Sequence, residues 1–170
     1  TAPSITIGDA GAEDTKLVFD GNAQDFHIGL DDSSDDLVIG LGSTLGTTTH
    51  MAFDEAGHIT LPLQSMFLSH VTSTITNVTG DETTYTIIAD TDIIDRNADH
   101  NVSNGVFTAP VTGVYGFFSA ISSSGIASNH TRVMVLHVTS NRTYYPVEQA
   151  SYDTANSGSL SYGTMIIADM

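Results

Sequence analysis

The sequence has no cysteine and no tryptophan, and only four basic residues, Lys16, Arg96, Arg132 and Arg142, stand against twenty acidic ones. Each shortage excludes something. Without cysteine there is neither a disulfide framework nor thiol chemistry, which removes the stapled class of small secreted domains without removing secretion itself. Neutralising phosphate needs Lys and Arg, so a formal net charge of -16 argues against nucleic acid as a partner. The same charge is repelled by anionic membranes, and no apolar run is long enough to insert into a bilayer. No positively charged, apolar leader opens the chain. Charge of one sign keeps a protein soluble best where salt screens its self-repulsion, which suits an external, saline setting.

Helical periodicity is also missing: no stretch keeps apolar residues at i, i+3, i+4 and i+7 for three turns, while Thr, Ser, Val, Ile, Gly and Asn dominate. The fold expected is all-β, in two parts of different texture that meet near "LPLQ", giving residues 1–64 and 65–170. In the first part "KLVFDGN", "DFHIGLDD", "DLVIGLGS" and "HMAFDEAGHITL" recur about every ten to twelve residues, each a run of strand formers ahead of Gly, Asp or Asn. Units this short cannot bury their own apolar sides. Val18, Phe26, Ile28, Leu37, Ile39, Met51 and Phe53 need partners, and identical copies of a stacked β-arm wound about a common axis supply them economically. A small meander within one chain is the alternative.

The second part has longer alternating segments, "MFLSHV", "YTIIADTDII", "GVFTAP", "GVYGFFSAI", "RVMVLHV", "TYYPVE" and "SLSYGTMIIADM", as a two-sheet antiparallel sandwich requires. Tyr115, Phe117 and Ser119 share one face of their strand, and Gly116, Phe118 and Ala120 the other. Burying one such ring contributes about 2–3 kcal/mol, so Phe107, Tyr115 and Phe117 are core residues before anything else.

Gly105, Phe107, Pro110, Gly113, Tyr115 and Phe117 match the spacing G-x-F-x-x-P-x-x-G-x-Y-x-F. This spacing resembles the signature strand pair of the complement C1q/tumour-necrosis-factor-like jelly roll, and the neighbouring segments fall in that family's order. The resemblance covers roughly residues 66 to 170. It implies a homotrimer of jelly rolls around an axis, with outer loops free for binding. It also implies two or three more strands after "MIIADM", supplied either by chain beyond Met170 or by another molecule. Residues 7 to 48 are similar to repeat-like segments in structural proteins of marine bacteriophages, where they precede fibre or receptor-binding modules.

Chemistry is sparse. "DGNAQD" and "DDSSDD" gather hard oxygen ligands of the kind calcium prefers, making Asp20, Asp25, Asp31, Asp32, Asp35 and Asp36 candidate ligands, although neither segment has the spacing of a twelve-residue calcium loop. His27, His50 and His58 lie in the repeats, where a trimer would bring each near its symmetry mates, for metal binding or as a pH switch. Sequons fall at Asn77, Asn101, Asn129 and Asn141. No G-x-S-x-G elbow, phosphate loop or H-E-x-x-H occurs. Paired carboxylates for glycoside cleavage lack the apolar wall that separates their pKa values, so the expectation is a protein that is not an enzyme.

The expected protein is thus a virion-borne or extracellular fibre: a trimerising β-arm and a jelly-roll head for multivalent attachment to a host-surface glycan or protein. Other virion or filament proteins are its further partners. Contact is expected at loop tips, through Asn97, Asn101, Asn104, Ser124, Asn129, Asp153 and Asn156. The alternative is a filament or lattice subunit completed by strand donation, with "SITIG" as the donated strand.

Overall fold

The computed structural model describes residues 2–78, 83–150 and 158–170. Among them the chain forms thirteen strands and no helix, an all-β fold of antiparallel sheets. It divides into two compact units, Thr1–Leu68 with Ile93–Ala98, and Ser69–Asp92 with Asp99–Met170.

The first unit is built on a meander: β1 (Thr15–Phe19), β2 (Phe26–Asp31), β3 (Asp36–Leu41), β4 (Thr49–Phe53) and β5 (Ile59–Thr60), each paired antiparallel with the next. The short repeats are therefore neighbouring strands of one sheet, not turns stacked along an axis. Their spacing is that of a strand plus a hairpin turn, and turn residues close each repeat onto the one before.

Register decides what each face carries. Leu17 stands opposite Ile28, Ile28 opposite Ile39 and Ile39 opposite Met51, one apolar row across four strands. Beside it run Phe19, Phe26 and Leu41 on one flank, and Leu30, Leu37, Phe53 and Ile59 on the other. The opposite face holds His27, Asp31, Val38, Gly40 and Ala52. Leu45, from the β3–β4 connection, packs there with Val38 and Ala52 to form the buried core. Val18, expected among the residues seeking partners, pairs with His27 and belongs to this second face.

β6 (Met66–His70) pairs with β7 (Thr91–Arg96), and the division between the units falls within both strands. The strand expected over "YTIIADTDII" begins only at Thr91. Just before it, the Asp90 carboxylate accepts from the Thr72 amide at 2.8 Å and the Thr72 hydroxyl at 2.9 Å.

The second unit continues with the short pair β8 (His100–Asn101) and β9 (Val106–Phe107), then β10 (Val114–Ile126), β11 (Arg132–Val138), β12 (Thr143–Ala150) and β13 (Gly158–Asp169). β10 pairs antiparallel with β13, from Val114 opposite Asp169 to Ile126 opposite Gly158, and β11 pairs with β12 inside that span. One hairpin is nested within another. β13 alternates cleanly, with Leu160, Thr164, Ile166 and Ala168 buried and Met165 and Ile167 exposed. Backbone bonds between Met170 and Gly113, 2.9 Å in both directions, extend the β10–β13 ladder past its last strand residue.

Candidate interaction surfaces

The aromatic strand pair packs as its alternation predicts. The Phe107 ring meets Phe117 edge-on with centroids 5.4 Å apart, and Tyr115 at 5.5 Å, so the three rings form one cluster. The Tyr115 hydroxyl donates to the Val111 carbonyl at 2.7 Å, satisfying the polar end of the ring at the bend. Deeper along the same inward face, Ser119 Oγ lies 3.1 Å from His137 Nε2 and 2.6 Å from Thr164 Oγ1, with His137 Nε2 and Thr164 Oγ1 3.0 Å apart. This triangle ties the β11–β12 pair to the β10–β13 pair. Burial holds the His137 pKa below the usual imidazole value. A serine beside a histidine is half of a nucleophilic arrangement, but among the described residues no carboxylate orients the second ring nitrogen. The contacts at hand are those of a polar tie between sheets.

The other face of β10–β13 is bare. Phe118 is 79% exposed and Ile167 62% exposed, with Val114 and Met165 beside them. Between these side chains lie Gly116, Ala120 and Gly163, and a hollow of about 320 Å³ opens beside Ala120 and Gly163. An aromatic ring so exposed gains little within its own unit, and apolar patches of this kind mark surfaces that meet other molecules.

The acidic candidates are spread over turns of the first unit. Asp31 Oδ1 accepts from the Ser33 amide at 3.1 Å and the Ser33 hydroxyl at 2.6 Å, and Asp25 Oδ1 accepts from the Gly21 amide at 3.1 Å. The Asp32 amide donates to Asp14 Oδ1 at 3.1 Å. Asp36 stands opposite Asp31 across the hairpin, Asp35 takes a left-handed backbone at φ 58°, and Asp20 is exposed beyond β1. The Asp25 and Asp31 carboxylates close turns, and among the described residues no three His, Asp or Glu side chains converge where a metal ion fits.

The histidines do not form a set. His27 is 1% exposed, and its Nδ1 donates to the Gly42 carbonyl at 2.8 Å. A ring sealed in this way cannot meet its own symmetry mates. His50 lies against Phe26 on the other face of the sheet, ring centroids 6.0 Å apart. His58 pairs with Asp54 at 2.8 Å, and that hydrogen bond is the main reason the Asp54 carboxyl is held below its ordinary pKa.

Of the loop residues, Asn97 belongs to the first unit, where its Nδ2 donates to the Leu63 carbonyl at 3.1 Å. Asn101 Oδ1 accepts from the Ser103 amide at 2.9 Å and hydroxyl at 2.6 Å, and Asn104 Oδ1 from the Val106 amide at 3.0 Å. Their oxygens hold turns. Ser124 is exposed within β10 beside a bulge, and Asn129 is exposed between β10 and β11. Asp153 and Asn156 lie outside the described residues. Missed from sequence was the equivalence of two turns: D-D-S-S-D at Asp31 and N-V-S-N-G at Asn101 use the same acceptor, the same Ser two places on and the same left-handed fifth residue, Asp35 or Gly105. The shared x-x-Ser-x-x pattern was the available signal.

Comparison of the chain with protein-family models, with curated proteins and with solved structures finds no match.

Proposed function

We propose that the protein is a structural fibre subunit, carried on a virion or outside the cell, that assembles as a homotrimer and presents its second unit as a head for multivalent attachment to a host-surface glycan or protein. The observation that carries this reading is the open β10–β13 face around Phe118 and Ile167, apolar except for Asp169 at its end. In so acidic a chain an apolar sheet face left open is a place for subunits to meet, and the motif that builds this strand resembles that of a trimeric family. Assembly in threes multiplies weak contacts at the exposed loops into firm attachment.

The test is native mass spectrometry of the full chain beside host-cell binding. A discrete trimer is expected, and Phe118→Glu, which places a carboxylate on the face, is expected to lower cell attachment at least 100-fold, the loss that follows when linked sites act singly. A trimer that binds no host surface would remove the attachment role.

One observation favours a second reading, a filament completed by strand donation. Ile5 is 93% exposed, and residues 2–7 belong to no strand, leaving an alternating apolar segment free to join another copy's sheet. An open ladder of masses, abolished by Ile5→Asp, would select it.

A further inference from the structure

The five-stranded sheet has one face sealed by Leu45 and its neighbours and the other open. On the open face, the row Leu17, Ile28, Ile39 and Met51 and the two rows flanking it contain no Asp, Glu, Lys or Arg. Leu30, Leu37 and Ile59 are substantially exposed there, as are Phe19 and Phe26. The charges of the same strands, Lys16, Asp31 and Asp36, alternate onto the other face. A hollow of about 270 Å³ bordered mainly by Ile7, Leu17, Ile28, Leu30 and Leu37, and also by Lys16, leaves room for an incoming side chain.

We infer that this face is where a second copy of the chain packs, sheet against sheet. The inference shares with the assembly proposed above the premise that copies of the chain meet, and adds a surface in the first unit that joins them in twos. Charge selects the occupant. At a net charge of -16, copies of this chain repel one another over most of their surface, and this face is one across which two can touch without bringing carboxylates together. Area agrees. Five strands about 4.8 Å apart and some five residues long present roughly 400 Å² in projection, and the ridged accessible surface is larger, approaching the ~800 Å² per partner of a standard interface. Aligned sheets about 10 Å apart interdigitate such rows as a sandwich does.

The experiment compares the full chain with Leu30→Glu/Leu37→Glu by light scattering and native mass spectrometry, with Phe118→Glu alongside. Both leucines are already exposed, so the double variant keeps its β-sheet circular dichroism while its subunit dissociation constant rises at least 100-fold. A wild-type oligomer that the double variant leaves intact and Phe118→Glu breaks would overturn this inference while sparing the proposed assembly. A wild-type monomer at tens of micromolar would overturn both and would place any cover of the face within the chain itself. Cross-linking tests the same surface without disrupting it. Because the chain has no cysteine, Leu37→Cys is expected to give an oxidised, disulfide-linked dimer and Lys16→Cys, on the opposite face, none. Equal cross-linking from both faces would overturn the inference.

Discussion

His27 lies directly on the backbone of Gly40, its partner across β2 and β3: a Cβ added at Gly40 would fall 2.7 Å from His27 Nε2 and 2.4 Å from the Thr48 carbonyl oxygen. The imidazole could swing away only by leaving the Gly42 carbonyl, and the Thr48 oxygen is backbone. Glycine is therefore required here for space, not for its torsions. Gly40→Ala is expected to destabilise the protein by about 1–3 kcal/mol, the ordinary cost of overpacking a filled site. Urea denaturation followed by circular dichroism measures it; an unchanged midpoint would mean that the β3–β4 connection yields freely.

The twin turns make an opposed pair of substitutions. Asp35 holds φ at 58° with a side chain in place, whereas Gly105 holds 70° without one. Asp35→Gly relieves a left-handed penalty of about 1 kcal/mol, partly offset by the added freedom of the unfolded chain, so stability stays level or rises slightly. Gly105→Ala acquires that penalty, and its new Cβ would sit 3.2 Å from Ile88 Cα, so a loss of about 1–2 kcal/mol is expected. Thermal midpoints of the two variants should move in different directions or by clearly different amounts.

The two faces of β10 are distinguished by a second contrast. Phe107→Ala removes a ring that meets both Phe117 and Tyr115, at an expected cost of about 2–4 kcal/mol. Phe118→Ala removes one that is 79% exposed, and costs the isolated chain less than about 0.5 kcal/mol. Chemical denaturation at concentrations low enough to prevent association separates these effects from assembly.

Burial lowers the His137 pKa from 6.5, so the unfolded chain takes up a proton at this residue before the folded one does. Stability from this group is complete above about pH 6.5 and is lost as the pH falls through the lower folded value. The carboxylates of Asp54 and Asp90, also lowered, from 3.8, contribute stability that is lost only at still lower pH. A melting midpoint that declines as the pH falls below about 6.5, with a shallower decline in His137→Gln, is the expected result. Equal slopes would show that the Ser119–His137–Thr164 tie does not carry the effect.

Local rules made much of this legible. Alternation placed Tyr115 and Phe117 on one side of β10 and Phe118 on the other, because side-chain direction in a strand depends only on parity, but it did not say that the second side would be open. The repeats were legible as strands for the same reason. Which strands pair was not: nothing in the sequence says that Thr164 completes the contact between Ser119 and His137, since pairing across so many residues is settled by packing. Val18, named together with Phe26 and Ile28 as a residue in need of partners, lies on the opposite face from them because register, not composition, decides faces. The candidate site residues were chosen for polarity at loop tips, a criterion that also selects residues such as Asn101 and Asp31, whose polar atoms close their own turns.

The nested ladder also sets an order of events. Each strand of the meander finds its partner in the segment made just before it, so that sheet can form as soon as it leaves the ribosome. Ser119, by contrast, meets a residue 45 positions later in synthesis. Long-range closure of this kind is slow. A nascent chain would therefore display a finished apolar sheet while its aromatic strands still waited for a mate, and where many ribosomes share one message, neighbouring chains could begin to associate before any of them had completed its second unit.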